Sequence, residues 1–190
     1  ERQPNYRLAT KKPDHIMVSI SGDAKTSMTI TGGEREVTEG YVEFSEKGGE
    51  KKRVQAITNE FKSDVSVSRL FLGEARGSEA RHPLLLHLRQ RRGAQRGVLF
   101  RHRGGEFDQV QIHRHLGSSK SNDHYNPDYS ALNKFLKNVL KKHPDVKFIL
   151  TAGDNTNCGQ HEIQWNAMYE GMEGVMEHLP YMMCCGNHDN

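Results

Sequence analysis

Two short segments of this chain, Gly153-Asp154-Asn155 and Gly186-Asn187-His188-Asp189, hold residue types that can do chemistry. In each, a glycine permits a tight backbone turn and an oxygen-bearing side chain follows at once. A carboxylate can bridge two metal ions, and an amide oxygen can complete the shell of one. Two ions about 3.5–4 Å apart can clamp a phosphate and generate hydroxide near neutral pH. A histidine beside them can stabilise developing charge or protonate a leaving oxygen, and an adjacent carboxylate can fix its tautomer. Gly-Asp-Asn alone is a common turn. Gly-Asn-His-Asp after an apolar run is far more specific, and the pair is stronger than either segment.

The elements that must position these segments follow from periodicity. Tyr129, Leu132, Phe135, Leu136, Val139 and Leu140 recur at helical spacing, with lysines on the opposite face and Pro144 as a stop. Val146 to Leu150 is a short apolar run ending at Ala152-Gly153-Asp154. A second helix is expected over His161 to Glu177, and another strand over Pro180 to Cys185, ending at the second segment. Helix, strand, polar loop, helix, strand, polar loop is the rhythm of an α/β domain, whose chemistry sits at the carboxyl ends of its strands. Upstream, Ile16 to Ile20, Ser27 to Thr31, Gly40 to Phe44, Arg53 to Thr58 and Val65 to Leu72 read as short strands of an antiparallel β-sandwich. The expected fold is thus a β-sandwich followed by the opening of an α/β domain.

Composition narrows the class. Hydrophobic residues are 34% and charged residues 27% of the chain, which fits a folded globular protein, and no apolar run reaches the roughly 18 residues of a membrane span. Glu1 to Lys12 has no apolar signal core, so a targeting peptide is read as removed or never present. Cys158, Cys184 and Cys185 are odd in number and lack metal-finger spacing, so they are read as small buried residues near strand ends. His143 and His178 fall near helix ends, where a macrodipole interaction is the ordinary role. His124 is read as a loop-surface residue. Trp165 and the stripe of Met168, Met172 and Met176 suit helical packing.

The text TAGDN…MMCCGNHDN resembles the second and third signature motifs of the calcineurin-like metallophosphoesterases. PDHIMVSISGDAKTSMTIT and SRLFLGEARG resemble the fibronectin-III-like N-terminal domain of the purple acid phosphatases. The resemblance covers about residues 13–76 and 121–190. It implies a fibronectin-III-like sandwich over residues 1–105, then over 106–190 the first part of a metallophosphoesterase αββα sandwich. It implies hydrolysis of small phosphate esters by a metal-activated hydroxide at a dinuclear site of iron, zinc or manganese, in a secreted enzyme. Asp154 would bridge the metals and Asn187 would bind one. His188 and Asn155 would face the substrate, with Asp189 as the orienting partner of His188. The alternative is a catalytically inactive relative whose sandwich serves in binding or scaffolding.

Four departures from the family pattern stand out. Asn157 occupies the position of the purple enzymes' tyrosine, so no iron–tyrosinate colour is expected. Thr31-Gly32-Gly33 replaces a tryptophan-containing strand end. The later histidine motifs would lie beyond Asn190, so the chain as written is expected to stop short of a complete site. The first motif, a strand ending in a metal-binding aspartate, should precede Ser121, where the text is Leu116-Gly117-Ser118-Ser119.

That gap adjoins an anomalous segment. Between Gly77 and Ser119 there are eight arginines, no lysine and three acids, a local balance of +5, against −2 elsewhere. This composition is read as translation in the wrong frame. Shifted by one base, codons compatible with Gly77 to His87 can read LKPGTPYYY, the turn and strand that follow L-x-G in the family's N-terminal domain. Gly97 to His102 can read EFSF followed by Val or Ala and Thr. Gln109 to Gly117 can read KFKFIVI-x-D, which restores the missing aspartate. The competing reading is a basic patch for phosphate backbones, and a disordered linker is the bland one. Nucleic acid is disfavoured because only Phe100 and Phe107 interleave the arginines. As written, the chain has no first-motif aspartate and is expected to bind metal poorly.

Overall fold

Alternating apolar residues fold the first half into antiparallel strands: β1 (Asp14–Ser19), β2 (Ser27–Glu34), β3 (Gly40–Glu46), β4 (Lys52–Gln55), β5 (Ile57–Lys62), β6 (Val67–Arg76), β7 (Pro83–Gln90) and β8 (Gln95–Arg101). The structure, a computed structural model, describes residues 14–23, 26–34, 39–46, 50–76, 83–90, 95–101, 111–113 and 127–190. The strands form two four-stranded sheets, in the orders β1-β2-β6-β5 and β4-β3-β7-β8. Ile16, Val18, Met28, Ile30, Phe71 and Ala75 from the first sheet meet Val42 and Phe44 from the second in one core. Each large side chain removed from water there contributes about 1.5–3 kcal/mol.

Arg53 to Thr58, expected as one strand, is two. The chain crosses from one sheet to the other at Ala56, whose methyl is buried in the core while its N–H bonds Gly40 O at 3.0 Å. Alternation alone does not show which sheet a residue joins.

The second half adds β9 (Gln111–His113), α1 (Ser130–Lys142), β10 (Ile149–Thr151), α2 (Glu162–Gly171) and β11 (Tyr181–Met182). The three strands pair in parallel in the order β11-β10-β9, with Thr151 opposite His113 and Leu150 opposite Met182. Among the described residues, β9 is the element that precedes α1, within the text where the first motif's strand was expected. Leu116 to Ser119 and His124 lie outside the described residues, as does most of the text between the strands of the arginine-rich segment.

Both helices pack on a second core of Leu136, Ile149, Met168, Met172, Met176 and Tyr181, so the methionine stripe is packing, as expected. Two details differ from the sequence reading. Phe135 is 52% exposed, because the buried stripe of α1 runs through Leu136. Helix α2 stops at Gly171 instead of Glu177, and Gly174 beyond it has a left-handed φ of 83° that the helix cannot continue through.

The two halves are joined by specific polar contacts. The turn between β5 and β6 reaches α2: Ser63 and Ser66 (2.7 Å) donate their hydroxyls to the buried Glu162 carboxylate. Asp64 Oδ1 accepts the Glu162 N–H at 3.0 Å, capping the first turn of the helix. On the edge of β1, the Val18 N–H bonds Met176 O at 2.9 Å.

Candidate metal-binding loops

The loops following β10 and β11 meet at the carboxyl edge of the parallel sheet. Gly153 and Asp154 both take left-handed backbone, with φ of 97° and 51°. Glycine does this freely and aspartate tolerates it better than most residues. A side chain at Gly153 would also strike the backbone of Gly186, whose Cα would lie 2.8 Å from the added Cβ. The two motif glycines are therefore needed in order to bring the loops into backbone contact.

Asp189 fastens that contact. Its Oδ2 accepts N–H groups from Gly186 (2.9 Å) and Asn155 (3.2 Å) and the Asn155 side-chain amide (3.0 Å). Its Oδ1 accepts from the Thr156 N–H (2.9 Å) and hydroxyl (3.3 Å). Burial works against the ionised form, but the hydrogen bonds from Gly186, Thr156 and Asn155 outweigh it and hold the carboxyl below the usual carboxylate range. The role expected of Asp189, orienting the His188 ring, is filled by another group. His188 Nδ1 lies 2.9 Å from the Asn157 carbonyl oxygen. A carbonyl only accepts, so Nδ1 carries the proton in this contact and Nε2 is left for another partner.

Asn155, expected at the substrate, is 1% exposed. Its amide donates to Cys184 O at 2.8 Å and to Asp189, so two acceptors fix its orientation between the loops. The Tyr129 hydroxyl supports the same residue by donating to Asn155 O at 2.9 Å, and burial followed by the nearby Asp189 charge pushes the phenol pKa up. Sequence reasoning missed Tyr129, Thr156 and Gln164, which accepts the Asn157 and Cys158 N–H groups through Oε1. No local signal marks them, since their partners are set by the fold.

Asp154, Asn187 and His188 lie together where the two loops meet. Asp154 Oδ1 accepts the His188 N–H at 3.0 Å, and Asn187 and His188 are exposed. The cysteines differ from expectation: Cys184 and Cys185 are exposed and Cys158 is half-buried, all as free thiols. The donors present, a carboxylate and an exposed amide oxygen, suit a hard metal ion in type. They fall short in number: among the described residues no group of three or more His, Cys, Asp or Glu is placed to hold a metal.

A family model described as calcineurin-like phosphoesterase matches residues 83–190, more than half of the chain. Comparison with curated proteins gives no match. Among solved structures, the chain is similar to the purple acid phosphatase PPD1 isolated from yellow lupin (Lupinus luteus) seeds, with a TM-score of 0.71 and 17% identity. The alignment covers 94% of this chain and 36% of the lupin chain, so this chain spans about a third of that protein's length. At that identity the likeness is one of fold.

Proposed function

The chain belongs to the calcineurin-like phosphoesterase family, and from that premise we propose that it supplies two loops of a site that hydrolyses small phosphate esters. The observation that carries the reading is the meeting of Asp154, Asn187 and His188 at the carboxyl edge of one parallel sheet, with the Asp154 carboxylate bonded to the His188 N–H.

Asp154 and Asn187 would contribute two side-chain oxygens toward a metal pair whose remaining ligands come from elsewhere, with iron, zinc or manganese all compatible. Such a pair, when bound, supplies the positive charge that gathers the phosphate and makes water a nucleophile near neutral pH. The work of this chain's other residues is positional. Asn157 O orients the His188 ring so that Nε2 can face the ester, where a protonated imidazole can stabilise the developing charge or give its proton to the leaving oxygen. Asp189 and Asn155 hold the two loops in register behind it.

The proposal includes the domain division, a fibronectin-III-like sandwich over residues 1–105 and the first part of the phosphoesterase domain over 106–190, and an extracellular location. The first is supported by two antiparallel sheets sharing one core, the second by the family resemblance. No helix among the described residues is long and apolar enough to cross a membrane.

The test is hydrolysis of p-nitrophenyl phosphate by the protein expressed from its complete coding sequence. Turnover should require added iron, zinc or manganese and fall about 10²- to 10⁴-fold in His188→Ala, the range of a lost general acid. Absence of metal-dependent turnover, or turnover untouched in both His188→Ala and Asp154→Asn, would favour a binding or scaffolding role instead.

A further inference from the structure

Beside the loop that follows β10, a cavity of about 720 Å³ opens between the outer face of the β1-β2-β6-β5 sheet and helix α2. Its size lies within the roughly 300–1,000 Å³ of small-molecule sites, which favour the junction of two structural units. Gly33, near the end of β2 and on the face opposite the core residues Met28 and Ile30, lines it without a side chain and leaves the sheet surface hollow there. Phe61, Leu70 and Leu72 form one wall, and these side chains are 41–44% exposed. Trp165 and Tyr169 form the other, four residues apart on one face of α2.

The charges around the cavity decide what it can take. Four acidic or basic side chains line it among the described residues, and each already has a partner. The Glu162 carboxylate accepts from Ser63, Ser66 and Asn166, and Asp64 accepts from the Glu162 N–H. Lys62 pairs with Glu60 at 3.6 Å, and His15 with Asp14 at 3.0 Å. An anionic ligand would face the Glu162 and Asp64 carboxylates with the one lysine already paired, and an ion of either sign would lose its hydration against the apolar walls. A neutral aromatic molecule loses little hydration and gains apolar and ring contacts.

One wall is wired to the loops. The Trp165 indole N–H donates to Gly159 O at 2.7 Å, and the N–H of Gly159 donates to His188 O at 2.6 Å. A side chain at Gly159 would overlap the backbone of Asp189, so this residue has no slack on the loop side. A shift of the indole is therefore passed through the backbone of one residue to His188.

We propose that this cavity is a binding site for a neutral aromatic small molecule, and that its occupancy is transmitted through Trp165 and Gly159 to His188. The coupling bears on activity only if the hydrolytic reading holds; the binding does not depend on it.

Trp165 is the chain's one tryptophan, so it reports directly. The probe is N-phenyl-1-naphthylamine, an uncharged aromatic amine. Titration should quench Trp165 emission saturably and shift the amide resonances of Gly159 and His188 in step. Leu70→Asp, at a 44% exposed position, should weaken binding about tenfold or more by placing a carboxylate in the apolar wall, with the melting temperature held. Trp165→Phe keeps an aromatic wall but no N–H. Measured by probe fluorescence, it should still bind while the His188 amide stays still. Non-saturable quenching, or equal binding in Leu70→Asp, overturns the site. Saturable binding with an unmoved His188 amide, or an unchanged shift in Trp165→Phe, overturns the coupling. None of these readouts uses hydrolysis, so a protein that binds the probe but turns over no phosphate ester fails only the hydrolytic reading.

Discussion

Asp154 Oδ1 accepts the backbone N–H of His188 at 3.0 Å, so the carboxylate at the end of one strand fixes the backbone of the residue that would act from the other. Asp154 also sits in left-handed backbone, with φ of 51°. Asparagine tolerates that conformation and keeps an acceptor, whereas alanine does neither. Asp154→Asn should therefore melt close to the parent protein while losing metal-dependent turnover. Asp154→Ala should lose a further ~1–2 kcal/mol of stability. Equal melting curves for the two variants would show that neither the hydrogen bond nor the backbone conformation matters to the fold.

Asp189 makes the stability of the loops depend on acid. Its folded pKa lies below the ordinary aspartate value of 3.8, so its contribution is fully present above that pH. That contribution is lost as pH falls through the lower folded value. Asp189→Asn should be destabilised near neutral pH by about 1.5–3 kcal/mol, the range for hydrogen bonds to a charged group. The gap between the two melting temperatures should close as pH drops below 3.8. A gap that stays constant down to pH 2 or so would mean that the charge of Asp189 is not what holds the loops.

Gly153→Ala combines a left-handed φ of 97° with an overlap on Gly186 backbone, which cannot rotate away as a side chain would. A loss of about 2–4 kcal/mol is expected from the sum of the two effects. Chemical denaturation of the variant measures it, and a loss under half a kcal/mol or so would mean that the loops do not meet here.

Much of the architecture is legible from periodicity. Ile16, Val18, Met28 and Ile30 alternate as strand residues must, and the glycine-oxygen pairs fall where strands end. Residues whose partners lie far along the chain were not legible. Asn155 looks like a solvent-facing loop amide until Asp189 and Cys184, about thirty positions on, are seen to bury it. Asp189 looks like a histidine's partner because it is adjacent in sequence, yet its carboxylate turns toward the other loop. The split at Ala56 depends on which sheet each half joins, and a period of two is the same in both.

Glu162→Ala removes the acceptor shared by Ser63, Ser66 and Asn166. It should cost about 2 kcal/mol, with Glu162→Gln recovering part of that because one oxygen remains. If Glu162→Ala melts like the parent, the contact between turn and helix is incidental.

That contact limits how far the sandwich can be treated as an interchangeable module. Helix α2 borrows its amino-terminal cap from Asp64, nearly a hundred residues upstream. A chimera that grafts another protein's sandwich onto this α/β half would inherit an uncapped helix unless the Ser63-Asp64-Val65-Ser66 turn travels with it. Recombination within such a lineage would have to carry the turn along with the helix it caps.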